Sequence, residues 1–160
     1  MTNSPGAWAS VIGYFCFLAL VAGAASFGGI FRPGAWFEGL HKPVWNPPNW
    51  VFAPVWTLLY IMIATSGWAV WRRIGLAAAA LPLSVWLLQL VLNALWSWLF
   101  FGLHRPAAAL AEILLLFAAI LACVVIFRRT SLTASLLLVP YLLWVAFAAI
   151  LNFALWRLNR

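Results

Sequence analysis

Three apolar stretches of this 160-residue sequence carry aromatic and amide side chains in register. Trp56, Tyr60, Gly67 and Trp71 follow one another at intervals of 4, 7 and 4 residues. Trp86, Gln89, Asn93 and Trp96 do so at 3, 4 and 3, and Tyr141, Trp144, Ala148 and Asn152 at 3, 4 and 4. On an α-helix each set falls on one face. Indoles offer a large planar apolar surface with a single N–H. Such faces suit a flat, aromatic, mostly apolar ligand held by a few polar groups. An amide in an apolar medium is costly unless paired, so Gln89, Asn93 and Asn152 should face inward. They could equally tie helices together, a role worth about 1 kcal/mol each, and Trp56 and Trp144 could serve packing alone. Asn93, near mid-helix between Trp86 and Trp96, is the amide best placed to meet a ligand.

Other chemistry is sparse. Glu112 is the single acid inside an apolar run, and an acid there is a functional candidate. It stands only about a turn and a half into its helix, so it could also reach the interface. His41 and His104 fall between apolar runs with no Cys, His, Asp or Glu at ligand spacing. No metal site is expected, although one histidine could still serve as an axial haem ligand. No Ser/His/Asp set, phosphate-binding glycine loop or carboxylate pair is present, which leaves hydrolase and nucleotide-hydrolysing readings without support. Cys16 and Cys123 sit inside apolar runs as small hydrophobes, outside any CxxC or disulfide framework.

The elements that must position these groups are legible from composition. The chain is 68% hydrophobic and 7% charged, against about 25% charged in soluble domains. Lipid is therefore the expected solvent for most of it. Five stretches approach the roughly 20 apolar residues that span a bilayer: residues 8–31, 50–71, 80–101, 107–127 and 132–156. Backbone groups in lipid must pair within the element, so the expectation is all-α: a five-helix transmembrane bundle forming a single membrane domain over residues 1–160. Three short links, one holding Arg72, Arg73 and Gly75 and the others Gly102–Pro106 and Arg128–Ser131, would make successive helices antiparallel. Residues 1–7 lack Lys and Arg, and the following apolar run is too long for a signal peptide core, so the first helix reads as retained. The net charge of +7 is scattered in ones and twos between the runs, which excludes a nucleic-acid-binding face. It suits loops beside anionic headgroups. Four cations on one side and five on the other leave orientation undecided. In the first helix, Ala24-xxx-Gly28 and Ala25-xxx-Gly29 have the small-xxx-small spacing of close helix approach, within the bundle or between protomers.

The first connection differs from the others. Residues 32–50, RPGAWFEGLHKPVWNPPNW, hold four prolines and three tryptophans. Proline fixes φ and restricts its predecessor, so this loop has few conformations and could act as a lid over the bundle mouth. Its tryptophans could also be headgroup-level anchors.

The same residues carry a resemblance. Trp36-Phe37-x-x-Leu40-x-Lys42-Pro43-x-Trp45-x-Pro47-Pro48-x-Trp50-x-Phe52-x-Pro54-x-Trp56-x-x-Leu59-Tyr60 resembles the first-loop motif of the translocator protein family. Its bacterial members are called tryptophan-rich sensory proteins, and its animal member was once named the peripheral-type benzodiazepine receptor. Asn93-x-x-Trp96, Phe100-Phe101-Gly102, Pro140-Tyr141-Leu142-x-Trp144 and Leu151-Asn152-Phe153 extend the likeness over nearly the whole chain. The resemblance implies a five-helix bundle, usually homodimeric, whose first loop covers a pocket. That pocket would bind porphyrins, notably protoporphyrin IX, and isoquinoline or benzodiazepine ligands, with no required cofactor. It further implies light- and oxygen-dependent porphyrin breakdown as an activity, with Trp56 and Trp144 as the participating residues. Transport of tetrapyrroles, or stress sensing through partners, are the alternatives. By position, the implied ligand residues are Phe37, Trp45, Trp50, Ala53, Trp56, Tyr60, Asn93, Trp96, Trp144, Ala148 and Leu151. Phe37 stands where several relatives carry Tyr, which removes a hydroxyl, and Phe153 rather than Tyr precedes Arg157, which speaks against cholesterol. The absence of extensions looks bacterial, so the expected location is multi-pass in the bacterial cell membrane, with an outer membrane left open.

Overall fold

An apolar run in lipid must satisfy its own backbone, and all five runs do so as helices. A computed structural model describes residues 6–160. The helices are α1 (Ala7–Ile30), α2 (Ala35–Glu38), α3 (Asn49–Ala78), α4 (Ala80–Ser97), α5 (Pro106–Thr130) and α6 (Leu132–Leu158). α4 runs on into a π-helical turn, Trp98–Gly102. Five of these elements are long and apolar enough to cross a membrane, and no strand occurs among the described residues.

The boundaries follow local chemistry. Pro106 opens α5, at a position whose N–H would be unpaired anyway. Ser131 caps α6, its Oγ accepting the Ala134 N–H at 3.3 Å. Arg128 and Arg129 close α5 and Arg157 closes α6, where cations meet the negative helix end. Two expected loops are therefore shorter than their composition suggested. Arg72 and Arg73 continue α3, and the chain turns at Gly75, whose φ of 74° needs a residue without Cβ. Arg128–Thr130 are likewise helical, so Ser131 alone separates α5 from α6. The first connection is also less bare than expected, since α2 lies inside it and α3 begins at Asn49.

Packing places the core between α3, α4, α5 and α6. α5 lies along α4 and α6, α3 packs on α6, and α1 lies outside against α3 and α4. Val21 is the single fully buried residue of α1. Trp86 is wholly buried and donates its indole N–H to the Ile63 carbonyl at 3.0 Å. Leu58, Leu88, Val91, Leu115, Leu143 and Ile150 face outward. So much exposed apolar surface fits acyl chains outside rather than water.

Small residues set the closest approaches. A Cβ at Gly28 would meet Ser97 Oγ at 3.2 Å, so this part of the α1 small-residue pattern serves packing against α4. Gly23 and Gly29 face open space. A Cβ at Gly67 would stand 2.8 Å from the Trp86 ring and 2.9 Å from the Phe17 ring. Gly67→Ala should therefore destabilise the bundle by about 1–3 kcal/mol, the usual cost of overpacking. Gly23→Ala should stay within about 0.5 kcal/mol of the parent. Thermal unfolding in detergent, followed by circular dichroism, checks both, and equal melting temperatures for the two variants would contradict the packing described.

Candidate functional site

Three helices converge on one polar chain. α3 contributes Tyr60, whose hydroxyl donates to Asn93 Oδ1 of α4 at 3.1 Å. Asn93 Nδ2 donates in turn to the Tyr141 hydroxyl of α6 at 3.1 Å. The i, i+4 spacing on α3 sets Trp56 beside Tyr60, with ring centroids 5.1 Å apart and planes at 30°. Its indole also meets the Tyr141 ring edge-on at 6.1 Å. An amide has two N–H groups and two oxygen lone pairs. With one of each engaged here, Asn93 keeps one N–H and one lone pair to offer a ligand.

Beside this chain lies a cavity of about 270 Å³. Trp56, Tyr60, Asn93, Trp96 and Ala148 form its working wall, Ile113 and Leu116 of α5 also border it, and Gly28, Gly29 and Pro33 close it toward loop one. A smaller compartment of about 40 Å³ adjoins it, bordered by Phe37, Trp144, Phe147 and Leu151. Phe52, Trp96, Phe101 and Ala148 belong to both linings and form the partition. Trp56 and Trp144 thus stand in neighbouring compartments rather than facing each other across one. Trp144 meets Phe52 edge-on at 5.8 Å.

The π-helical turn builds much of that partition. Its wider bond, Leu103 N–H to Trp98 O at 2.8 Å, fits an extra residue into the turn. Trp96, Phe100 and Phe101 then all turn inward, Trp96 stacking on Phe100 at 5.2 Å. Asn152 anchors this group. It accepts the Trp96 indole N–H at 3.1 Å and donates to the Pro106 carbonyl at 2.8 Å, which ties α6 to α4 and to the start of α5.

The first half of loop one is held down over the smaller compartment. In α2, Trp36 stacks on His104 at 4.3 Å, and Phe37 is buried edge-on to Phe101 at 5.5 Å. Lys42 Nζ donates to the Glu38 carbonyl at 3.0 Å and lies 4.8 Å over the Phe37 ring. Next to Lys42, His41 N–H donates to Asn159 Oδ1 at 2.8 Å, while Asn159 Nδ2 donates back to the His41 carbonyl at 2.9 Å. One side chain at the end of α6 thereby pairs with the loop as a strand would.

Other expected ligand positions stand apart from both cavities. Trp50 is 73% exposed and Ala53 is exposed. In α3, which begins at Asn49, Trp50 stands about a third of a turn around the helix from Trp56, and although Ala53 shares the Trp56 side at i, i+3, neither residue borders a cavity. Trp45 is half-exposed and packs edge-on against Phe147 at 6.0 Å. Glu112 does not reach the interface. It is 6% exposed, turned into the bundle, and neither carboxylate oxygen has a protein partner. Gln89 is fully buried with both amide atoms similarly unpartnered. Among the described residues, no three His, Cys, Asp or Glu side chains cluster at metal-binding distance. Phe52 and Phe101 emerge as wall residues that helical periodicity left unmarked.

Comparison with known proteins gives a consistent result. Residues 15–157 match the TspO/MBR family model. Protein CrtK of Rhodobacter capsulatus is 43% identical over 140 residues, 85% of this chain and 86% of that one. The tryptophan-rich protein TspO of Chlorobaculum tepidum is 42% identical over 147 residues, 89% and 91% of the two chains. The human translocator protein is 40% identical over 126 residues, 78% and 75%.

The Asn159–His41 pairing generates a direct expectation for loop one. Asn159→Ala removes both hydrogen bonds to the His41 backbone, together worth about 1–3 kcal/mol, along with a third to the Leu155 carbonyl within α6. The His41 amide should then exchange hydrogen at least about fivefold faster, while the amides of α5 and α6 stay protected. Unchanged exchange at His41 would show that the loop is held by its aromatic contacts alone.

Proposed function

The chain belongs to the TspO/MBR family and is a multi-pass membrane protein, and from that premise we propose that it binds flat tetrapyrroles, protoporphyrin IX in particular, in the compartments between α3, α4 and α6. The observation that carries this reading is the spare hydrogen-bonding capacity of Asn93 beside the Trp56 ring, in a cavity otherwise walled by apolar and aromatic groups. A planar macrocycle would lie against indole and meet one amide at its polar edge. Small aromatic ligands of isoquinoline or benzodiazepine type would use the same surfaces. The cavity of about 270 Å³ falls just below the roughly 300–1,000 Å³ usual for ligand sites. A tetrapyrrole would therefore extend past Phe52 and Trp96 into the compartment of Trp144, joining the two. At the mouth, Arg32 donates from Nε to the Gly29 carbonyl at 3.1 Å. This leaves its remaining N–H groups, with the ammonium of Lys42, to receive propionates.

Light-dependent chemistry follows from such a complex. An excited porphyrin passes energy to oxygen, and nearby indoles are oxidised or trap the products. Trp56 and Trp144 would take that part, one from each compartment, without an acid–base pair. A homodimer in the bacterial cell membrane is the setting that we infer for it.

Titration of the purified protein with protoporphyrin IX, followed by tryptophan quenching, tests the binding. Asn93→Leu and Trp56→Phe should weaken it by up to about tenfold, the effect of one hydrogen bond or one ring contact. Trp50→Phe should leave it unchanged. Equal affinity in all three would refute the site. Separately, Trp144→Phe should change the rate at which bound protoporphyrin is lost under illumination in air. A rate identical to that of the parent would remove Trp144 from the photochemistry.

A further inference from the structure

A second groove opens at the opposite end of the bundle from loop one, on the outer surface between α1 and α3. It encloses about 530 Å³ and is bordered by Ser10, Val11, Tyr14, Thr65, Trp68 and Arg72, among others. The Trp68, Tyr14 and Thr65 polar groups are already paired with each other or with backbone. The Trp68 indole N–H donates to the Ser10 carbonyl at 2.9 Å, Tyr14 and Thr65 share a hydrogen bond at 3.2 Å, and Thr65 Oγ1 donates to the Ile61 carbonyl at 2.7 Å. The groove wall thus presents ring faces and alkyl groups, which suits a hydrocarbon chain. At its rim the guanidinium of Arg72 lies 4.8 Å over the Trp68 ring. That contact orients its N–H edge while consuming none of its donors, and a guanidinium edge matches the two oxygens of a phosphate.

The charge of this end of the bundle is one-sided. Arg72 borders the groove, Arg73 follows it in α3, and Arg128 and Arg129 close α5 on the same side. The two acids of the chain are elsewhere. Glu38 lies in α2 on the opposite loop, and Glu112 is buried near the start of α5, toward that same opposite side. A cation at headgroup depth, an aromatic beneath it and an apolar channel along two helices together match the parts of one phospholipid. We propose that this groove seats an anionic phospholipid, its phosphate on Arg72 and one acyl chain along Val11, Tyr14 and Trp68.

Phosphatidylglycerol and phosphatidylcholine with bromine-labelled acyl chains, titrated into the full-length protein in detergent, test this through quenching of Trp68. Phosphatidylglycerol should quench at least about fivefold more effectively than phosphatidylcholine, the factor that one cation contributes at an anionic surface. Trp68→Phe should remove the quenched component. Arg72→Gln, an exposed change that leaves the packing intact, should bring the two lipids level, and Arg72→Lys should keep part of the preference. Arg129→Gln, on the same side but away from the groove, should keep it all. Equal quenching by the two lipids in the parent would overturn the proposal. So would a preference erased as fully by Arg129→Gln as by Arg72→Gln, since that would reflect the charge of the whole face. Displacement of the lipid by millimolar inorganic phosphate would assign the site to a free anion instead. Stronger quenching after removal of residues 2–5 would assign the groove to the chain's own N-terminal segment.

Discussion

An amide placed in hydrocarbon can find partners only on another helix, and the arrangement of this bundle depends on that constraint. Asn93 sits between Tyr60 of α3 and Tyr141 of α6, bonded to both. Asn152 joins Trp96 of α4 to the Pro106 carbonyl at the head of α5. Each bond contributes only about 1 kcal/mol, because helices in a membrane find alternative partners when unassembled. Their directionality matters more than their strength. Apolar helices in lipid gain little from burial, since acyl chains are as apolar as leucine. Van der Waals packing alone would tolerate several rotations and shifts of α3 against α4 and α6. Side-chain hydrogen bonds with defined geometry admit few of them, and the chosen one turns Trp56 toward the cavity.

That dependence explains what was legible in the sequence. The in-line sets on three helices identified the faces that meet, because a 3.6-residue period records directly which side chains share a side. Tyr60, Asn93, Trp96, Tyr141 and Asn152 all turn inward accordingly. The same rule misled where helix boundaries were set by composition. Arg72 and Arg73 read as a loop, yet the last turn of a helix is where guanidinium groups are favoured, and the chain bends instead at Gly75. Trp50 and Ala53 read as pocket residues through their place in a continuous motif. Once Asn49 starts α3, however, Trp50 is exposed about a third of a turn from Trp56, and Ala53, though on the Trp56 side, borders neither cavity. The partition between the compartments was illegible for a related reason. It depends on a π-helical turn after Ser97, and a sequence pattern that assumes one period cannot register a local change of period.

Not every buried polar group is provided for. Gln89 and Glu112 lie in the core with none of their four side-chain polar atoms bonded to protein. An unmet group of this kind costs about 1–3 kcal/mol in a protein interior. Packing gives no reason to keep either one, since leucine or methionine would fill similar volumes. The α1 helix is loosely held. It fully buries Val21 alone, with Phe17 and Leu18 half-buried against the core, while Val11, Ile12, Phe15, Leu20, Phe27 and Ile30 face outward. Its attachment rests on Phe17 packed against Trp86, on the close approaches at Gly13, Gly28 and Gly67, and on the pairing of Tyr14 with Thr65 and of Trp68 with Ser10.

These differences in local restraint indicate how two compartments could become one. The wall between them consists of Phe52, Trp96, Phe101 and Ala148. Trp96 is fixed by its bond to Asn152 and its stack on Phe100, and Ala148 has no freedom to move. Phe52 differs. It lies only half-buried in the first turn of α3, two residues before Pro54, and its ring packs edge-on against Trp144. A rotation there breaks no hydrogen bond, whereas moving Trp96 would leave an indole N–H and the Asn152 carbonyl oxygen unpaired in an apolar surrounding. The least costly opening is therefore a swing of Phe52 away from Trp144, followed by loop one, which leads directly into α3. Because Asn159 and His104 hold that loop from the ends of two other helices, a ligand spanning both indoles would displace the entrance of α3 before it disturbed the hydrogen-bonded centre.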